Sequence, residues 1–291
     1  MDGWLLIDKP TNLSSFQTIN RFKRILNTKV GHCGTLDPFA SGFLLMAVGK
    51  ATRLVEYAMA LEKDYTFRVK WGISTDSDDL TGDVKETCSH IPTQKDIEEK
   101  LNDFIGKIEQ VPPIFSAVKV NGRRAYDYAR NGDDISLKPK LVTLKKFSVL
   151  AHNKNETSFH VVCGKGFYIR SLARDLAESL GTLAHVTTLR RNLSGIFQNK
   201  EMVSSEKEKD FLHPSEFYDY LSSRILPLDY VLDDIPVYNS EQACVSKLKN
   251  GQTIVCLDSF KSNSTVAAKS DGVLIALCTF LDGYLKPIKT F

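Results

Sequence analysis

The chain has 291 residues, of which 42% are hydrophobic and 25% charged, and its formal net charge is +3. That length buries one large core, or one core with a small appended domain, and the balance is ordinary for a soluble globular protein. No apolar run reaches the roughly 18–20 residues of a membrane helix. The opening "MDGWLLIDKP" carries Asp2 and no basic region before its apolar stretch, so a signal peptide is not expected.

The charge is unevenly spread. Residues 1–200 hold 29 Lys and Arg against 22 Asp and Glu, residues 201–223 hold 2 against 6, and residues 224–291 hold 7 against 7. The basic excess lies in the first two-thirds, as a polyanion-binding face requires. The six cysteines (33, 88, 163, 244, 256 and 278) are scattered with no C-x-x-C pair. That pattern fits reduced thiols in a cytoplasm, and offers no metal-ligand spacing.

In chain order, "GWLLID" reads as a short strand ended by "KP". Ser14 and Gln17 form a capping box ahead of Phe16, Ile19, Phe22 and Leu26, which recur at helical spacing. "FLLMAV" (43–48) predicts a buried strand, and "ATRLVEYAMAL" a short amphipathic helix. "YTFRVKW" alternates, with Tyr65, Phe67, Val69 and Trp71 on one face. "TQKDIEEKLNDFIGKI" predicts a helix capped by Thr93, burying Ile97, Leu101, Phe104 and Ile105.

The stretch 111–135 then reads as a strand and exposed basic loop leading into a helix. "LVTLKKFSVLAH" and "SFHVVCG" are two more strands. "GKGFYIRSLARDLAESLG" opens on a glycine-rich turn and becomes a helix with Ile169, Leu172, Ala173, Leu176 and Leu180 inward, stopped by Gly181. The acidic stretch after residue 200 predicts a surface helix and loop. "VYNSEQACVSKLKNGQTIVC" and the last forty residues read as short strands with glycine turns, a small β module. Strands outnumber helices, so the expected fold class is α+β around a largely antiparallel sheet.

The densest segment is "GHCGTLDPFASGFLLMAVGKATR", Gly31 to Arg53. Cys33 beside His32 suggests a thiol nucleophile, but sequence neighbours in extended backbone point apart, and Cys33 reads better as a small filler. "GFLLMAVGK" is no phosphate-binding loop, because Ala51 stands where Ser or Thr would hold magnesium. "TDSDDLTGD" lacks the glycine and glutamate spacing of a calcium loop and reads as a solvated acidic turn. Asp37 differs: Pro38 drives it into extended backbone, while Gly31 and Gly34 permit a tight turn before it. A carboxylate is thereby presented at a rigid loop end beside a buried strand.

This segment resembles the signature of the TruB family of pseudouridine synthases. The resemblance continues in order through "LLIDKP", "KDYTFRVKWGISTDSDDLTG", "QVPPIFSAVKVNGRRAYDYARNG" and "CGKGFYIRSLARDLAESLGTLAHVTTLRR", over residues 3–195. It implies a mixed, mainly antiparallel sheet with surrounding helices: a catalytic domain over 1–232 with an RNA-gripping insertion at about 111–135, and a PUA-like RNA-binding module over 233–291. The implied reaction is isomerisation of uridine to pseudouridine at position 55 in the T loop of tRNA, by a cytoplasmic, standalone, monomeric enzyme without metal or organic cofactor.

By that resemblance Asp37 matches the catalytic aspartate, taken as the nucleophile; a carboxylate could act there as nucleophile or base, and the atom it attacks stays open. Arg170 matches its arginine partner, and Tyr65 the aromatic that stacks on the target base. Tyr168 and Leu189 match the other side of the base pocket. His32 matches a histidine placed where the extruded nucleotide leaves the stack. Lys9 matches the opening motif, as a support of the active-site loop near phosphate, and Lys119, Arg123 and Arg124 match phosphate contacts. Two positions depart from the pattern: Cys33 stands where many relatives have Thr, and Phe167 where many have Thr or Ser. The rival readings are a guide-RNA-dependent synthase with the same catalytic residues, a non-catalytic RNA-binding protein on this scaffold, and a hydrolase using Cys33.

Overall fold

The structure is a computed structural model that describes residues 1–120, 122–131, 133 and 135–291; the side chains of Arg124, Arg130 and Asn131 lie outside the described residues. Its main sheet runs, edge to edge, through the strands 203–204, 3–9, 41–48, 184–192, 63–71, 156–163, 140–153 and 106–110, with 30–32 pairing onto 41–48. Two neighbouring pairs, 3–9 with 203–204 and 41–48 with 184–192, are parallel and the others antiparallel. This is the expected mixed, mainly antiparallel α+β architecture.

The strand Ser41–Val48 is apolar without alternation because both its faces are covered. Phe43, Leu45 and Ala47 join Trp4 and Phe197 on one face. Leu44, Met46 and Val48 meet Ile19, Phe22 and Leu26 of the helix Ser15–Leu26 on the other. The strand Lys63–Trp71 buries its alternating aromatic face against Phe159 and the helix Ile169–Ser179. Each such large apolar side chain contributes about 1.5–3 kcal/mol relative to exposure.

A second sheet, in the order 237–239, 265–270, 273–281, 284–290 and 254–255, occupies the last part of the chain. Its Ala267, Leu274 and Leu277 pack into the same apolar cluster as Trp4 and Phe43, and Arg53 Nη1 donates to the Thr290 carbonyl. Among the described residues no helix is long and apolar enough to cross a membrane.

Several expectations need correction. Phe16 is 64% exposed, because Ser15 takes the inward position of that helix and bonds the backbone of Leu36. Ile105 is exposed, since the helix ends at Leu101 and passes into a short 3-10 turn. Residues 242–249, read as strand, form a helix that buries Leu248. Residues 184–192 form a strand near the middle of the sheet, although "LRRN" gives no sign of burial.

Candidate active site

The loop that carries Asp37 is pinned from three sides. The Ser15 hydroxyl donates to Leu36 O and accepts from Leu36 N–H, at 3.1 and 2.8 Å. Asn12 N–H donates to Pro38 O at 2.7 Å. Lys9 Nζ, fully buried, donates to Pro10 O, Leu13 O and Pro38 O at 2.8, 2.6 and 3.3 Å. Desolvation lowers the Lys9 ammonium to about pKa 8, against the pull of Asp37. Gly34, with φ +92°, supplies the turn only glycine adopts freely, and its carbonyl accepts from Arg191 Nη2 at 3.2 Å.

Arg170 comes from the first turn of the helix Ile169–Ser179 and is 3% exposed. Its Nη2 donates to Asp37 Oδ1 at 3.0 Å, while Nε lies 2.9 Å from Oδ2, in ion-pair contact but off the axis of a hydrogen bond. The same guanidinium donates to Ser77 O and Phe115 O, each at 2.9 Å, and approaches Asp79 Oδ2 at 3.5 Å. Asp79 is itself held by Ser77 Oγ, Thr81 N–H and Thr81 Oγ1. The acidic turn is therefore not solvated: Asp79 faces Arg170, and Asp78 pairs with Arg174 at 3.0 Å.

About a third of the Asp37 side chain faces solvent through the cleft mouth. Withdrawal of the rest from water raises its carboxyl above the ordinary value; Arg170 opposes that rise and Asp79 adds to it. The result is a desolvated carboxylate held by a planar fork, a geometry suited to nucleophilic or basic attack at a fixed point.

The cleft has a volume of about 250 Å³ and brings Asp37 and Arg170 together with Tyr65, Tyr168 and Leu189. Tyr65 stands opposite Arg191 on adjacent strands; burial raises the phenol's pKa, and the nearby Arg191 charge opposes that rise. Burial also raises Tyr168, so both phenols stay protonated at neutral pH. Phe167 lines the cleft as well. A larger apolar cavity of about 480 Å³ lies behind it and shares Lys63 and Arg191, but lacks Asp37 and Arg170.

The remaining expected residues stand elsewhere. His32 lies on the strand Val30–His32 outside the cleft lining, with Nδ1 buried and unbonded; desolvation, then Arg191, lowers its pKa. Lys119 and Arg123 are exposed on the hairpin of the 111–135 insertion, where Arg123 lies 4.9 Å over the Tyr128 ring; the side chain of Arg124 is outside the described residues. Lys9 is fully buried with its ammonium enclosed by three carbonyls, which fits the expected support of the active-site loop and leaves no exposed ammonium for a phosphate in this structure. Cys33 is buried and its thiol is pushed up to about 12 by desolvation, which removes it as a nucleophile.

Sequence reasoning did not pick out Ser15, Asp79 or Arg191. Arg191 is 4% exposed and donates to Phe43 O at 2.6 Å and to Gly34 O. The signal for Asp79 was its acidic turn beside a strand; its cationic partner, Arg170, lies some 90 residues further along the chain.

With the mixed sheet and its Asp–Arg cleft described, the class is clear: the chain belongs to the TruB family of pseudouridylate synthases. The model of that family's N-terminal domain matches residues 23–169, and the model described as the tRNA pseudouridylate synthase B C-terminal domain matches residues 170–233. Asp37 thus falls in one matched segment and Arg170 in the other. Among similar curated proteins, the tRNA pseudouridine synthase B of Ehrlichia chaffeensis is 40% identical over 298 residues, covering 100% of this chain and 99% of that protein. The protein of the same name from Caulobacter sp. is 37% identical, covering 100% of this chain and 96% of its relative. Among solved structures, an H/ACA RNP bound to a substrate RNA containing 2'-deoxyuridine shares the fold with TM-score 0.75 and 22% identity, covering 99% of this chain and 84% of that one. A Cbf5-Nop10-Gar1 complex does so with TM-score 0.72 and 24% identity, over 99% and 84%.

Proposed function

We propose that this chain is a tRNA pseudouridine synthase that isomerises the uridine at position 55 in the T loop, acting as a monomer in the cytoplasm without a guide RNA. The observation that carries the reading is Asp37 held by Arg170 in a cleft walled by Tyr65, Tyr168 and Leu189. Near-full-length similarity to proteins named tRNA pseudouridine synthase B supports the choice of tRNA.

The chemistry breaks the bond between uracil N1 and the sugar, turns the base in place, and joins C5 to the sugar; the C5 proton leaves and N1 gains one, so no co-reactant is consumed. Asp37 is the nucleophile, held ionised and aimed by Arg170. Tyr65 stacks on the detached base while Tyr168 and Leu189 close the other side, which keeps it from diffusing away between the two bond changes. His32 braces the RNA where the nucleotide leaves the stack, a step that costs a few kcal/mol. Lys119, Arg123 and Arg124 contact phosphates and set register. Residues 1–232 serve as the catalytic domain, with the insertion at 111–135, and residues 233–291 as a PUA-like RNA-binding module.

Purified alone, the protein should modify a T-arm stem-loop hairpin as well as whole tRNA, at one uridine, with binding that weakens as salt rises. Deleting residues 233–291 should weaken affinity more than it lowers the chemical rate. Absence of modification without a guide RNA or partner proteins would replace this reading with the guide-dependent one.

A further inference from the structure

Gln110 ends the strand Gly106–Gln110, is 1% exposed, and immediately precedes the insertion. Its amide spends both ends on one residue: Oε1 accepts from Tyr168 N–H at 2.8 Å and Nε2 donates to Tyr168 O at 3.0 Å. Tyr168 is the N-cap of the helix Ile169–Ser179 and has no side-chain capping bond of its own. Its extended backbone would otherwise leave that N–H without a partner in a partly buried position. A primary amide alone offers a donor and an acceptor side by side at this reach; a carboxylate lacks the donor and a hydroxyl is too short.

The contacts around it run the same way. Ser171 Oγ and Arg174 Nη2 both donate to Val111 O, at 2.7 and 3.0 Å, and Arg170 Nη2 donates to Phe115 O. The root of the insertion is thus stitched to the turn that carries one wall of the base pocket and the arginine of the catalytic pair. Within this set Gln110 alone bonds the main chain of Tyr168, two residues before Arg170.

We infer that Gln110 is a positioning residue for the isomerisation: by fixing the Tyr168 peptide it sets the Tyr168 wall and aims Arg170 at Asp37, so that placement of the insertion is transmitted to the reacting centre. This rests on the function proposed above. A shift of about 1 Å in such groups costs on the order of a hundredfold in rate.

The test uses the full-length protein with Gln110→Ala and Gln110→Glu, the latter keeping the acceptor but setting a charge against the Tyr168 carbonyl. Single-turnover formation of pseudouridine in a T-arm hairpin should fall at least about tenfold in both, with RNA affinity within about threefold and no loss of cooperative unfolding. In Gln110→Ala the acid limb of the rate should also move to higher pH, because a poorly aimed Arg170 favours the Asp37 carboxylate less; loss of packing alone would not move it. The Tyr168 amide should exchange faster in Gln110→Ala by NMR, because that variant removes the acceptor of its N–H. A parent-like rate and acid limb in Gln110→Ala, or unchanged exchange at Tyr168 in that variant, would overturn the inference. Should the parent protein modify no tRNA, the functional reading fails, and the exchange rates still decide whether Gln110 holds Tyr168.

Discussion

Asp37 and Arg170, 133 residues apart in the chain, meet with both carboxylate oxygens facing one guanidinium, Nη2 to Oδ1 at 3.0 Å and Nε to Oδ2 at 2.9 Å. The arginine has no freedom to leave. Its other donors are held by Ser77 O and Phe115 O, and Asp79 sits behind it. The pair therefore acts as a fixed object.

Arg170→Lys keeps the charge but loses the planar fork, so the chemical rate should drop by about a hundredfold or more with little change in folding. The pH profile carries a sign. Burial raises the Asp37 carboxyl and Arg170 opposes the rise, so the parent's acid limb lies above the ordinary aspartate value of about 3.9 and should move higher still in the variant. Single-turnover rates across pH check both; a parent-like rate and limb would mean that the pairing plays no part in the reaction.

How much of this was legible in the sequence depends on distance along the chain. The caps at Ser14 and Thr93 were readable because donor and acceptor lie three residues apart, and both capping boxes are present. Asp37 and Arg170 were named through the family resemblance; composition and periodicity alone made Asp37 only a presented carboxylate. The turn at 75–83 read as solvated because the cations that neutralise it arrive from the helix Ile169–Ser179. Arg191 was invisible for the same reason, since a buried arginine that bonds two carbonyls looks like any surface arginine until the sheet closes over it.

Lys9 separates loop support from phosphate binding. With its ammonium enclosed by Pro10 O, Leu13 O and Pro38 O, Lys9→Met should lower both activity and the unfolding temperature, because three carbonyls lose a charged donor. The salt dependence of RNA binding should stay as in the parent. Lys119→Ala should do the reverse, leaving stability intact and reducing the slope of log K against log salt by roughly 0.7–0.9. A reduced slope in Lys9→Met would restore it as a phosphate contact.

Cys33 should be inert. Desolvation pushes its thiol up to about 12, as it does those of Cys163 and Cys278, so thiol alkylation of the folded protein at neutral pH should leave activity unchanged. The same shifts set a stability trend. Between the unfolded thiol value of about 8.5 and about 12 the folded chain binds more protons, so these groups make stability fall as pH rises through that window. Denaturant midpoints from pH 8 upward should decline less steeply in Cys33→Ala than in the parent; equal slopes would remove the buried thiol from the account.

The most direct measurement is release of tritium from C5-labelled uridine in a T-arm hairpin, comparing the parent with Asp37→Asn under single turnover and with filter binding alongside. If Asp37 acts as the proposed nucleophile, its loss should show in the chemistry and not in RNA binding. The parent should release one equivalent without any guide RNA, and Asp37→Asn should release none while binding the hairpin within about tenfold of the parent. Turnover retained in Asp37→Asn would contradict the account at its centre.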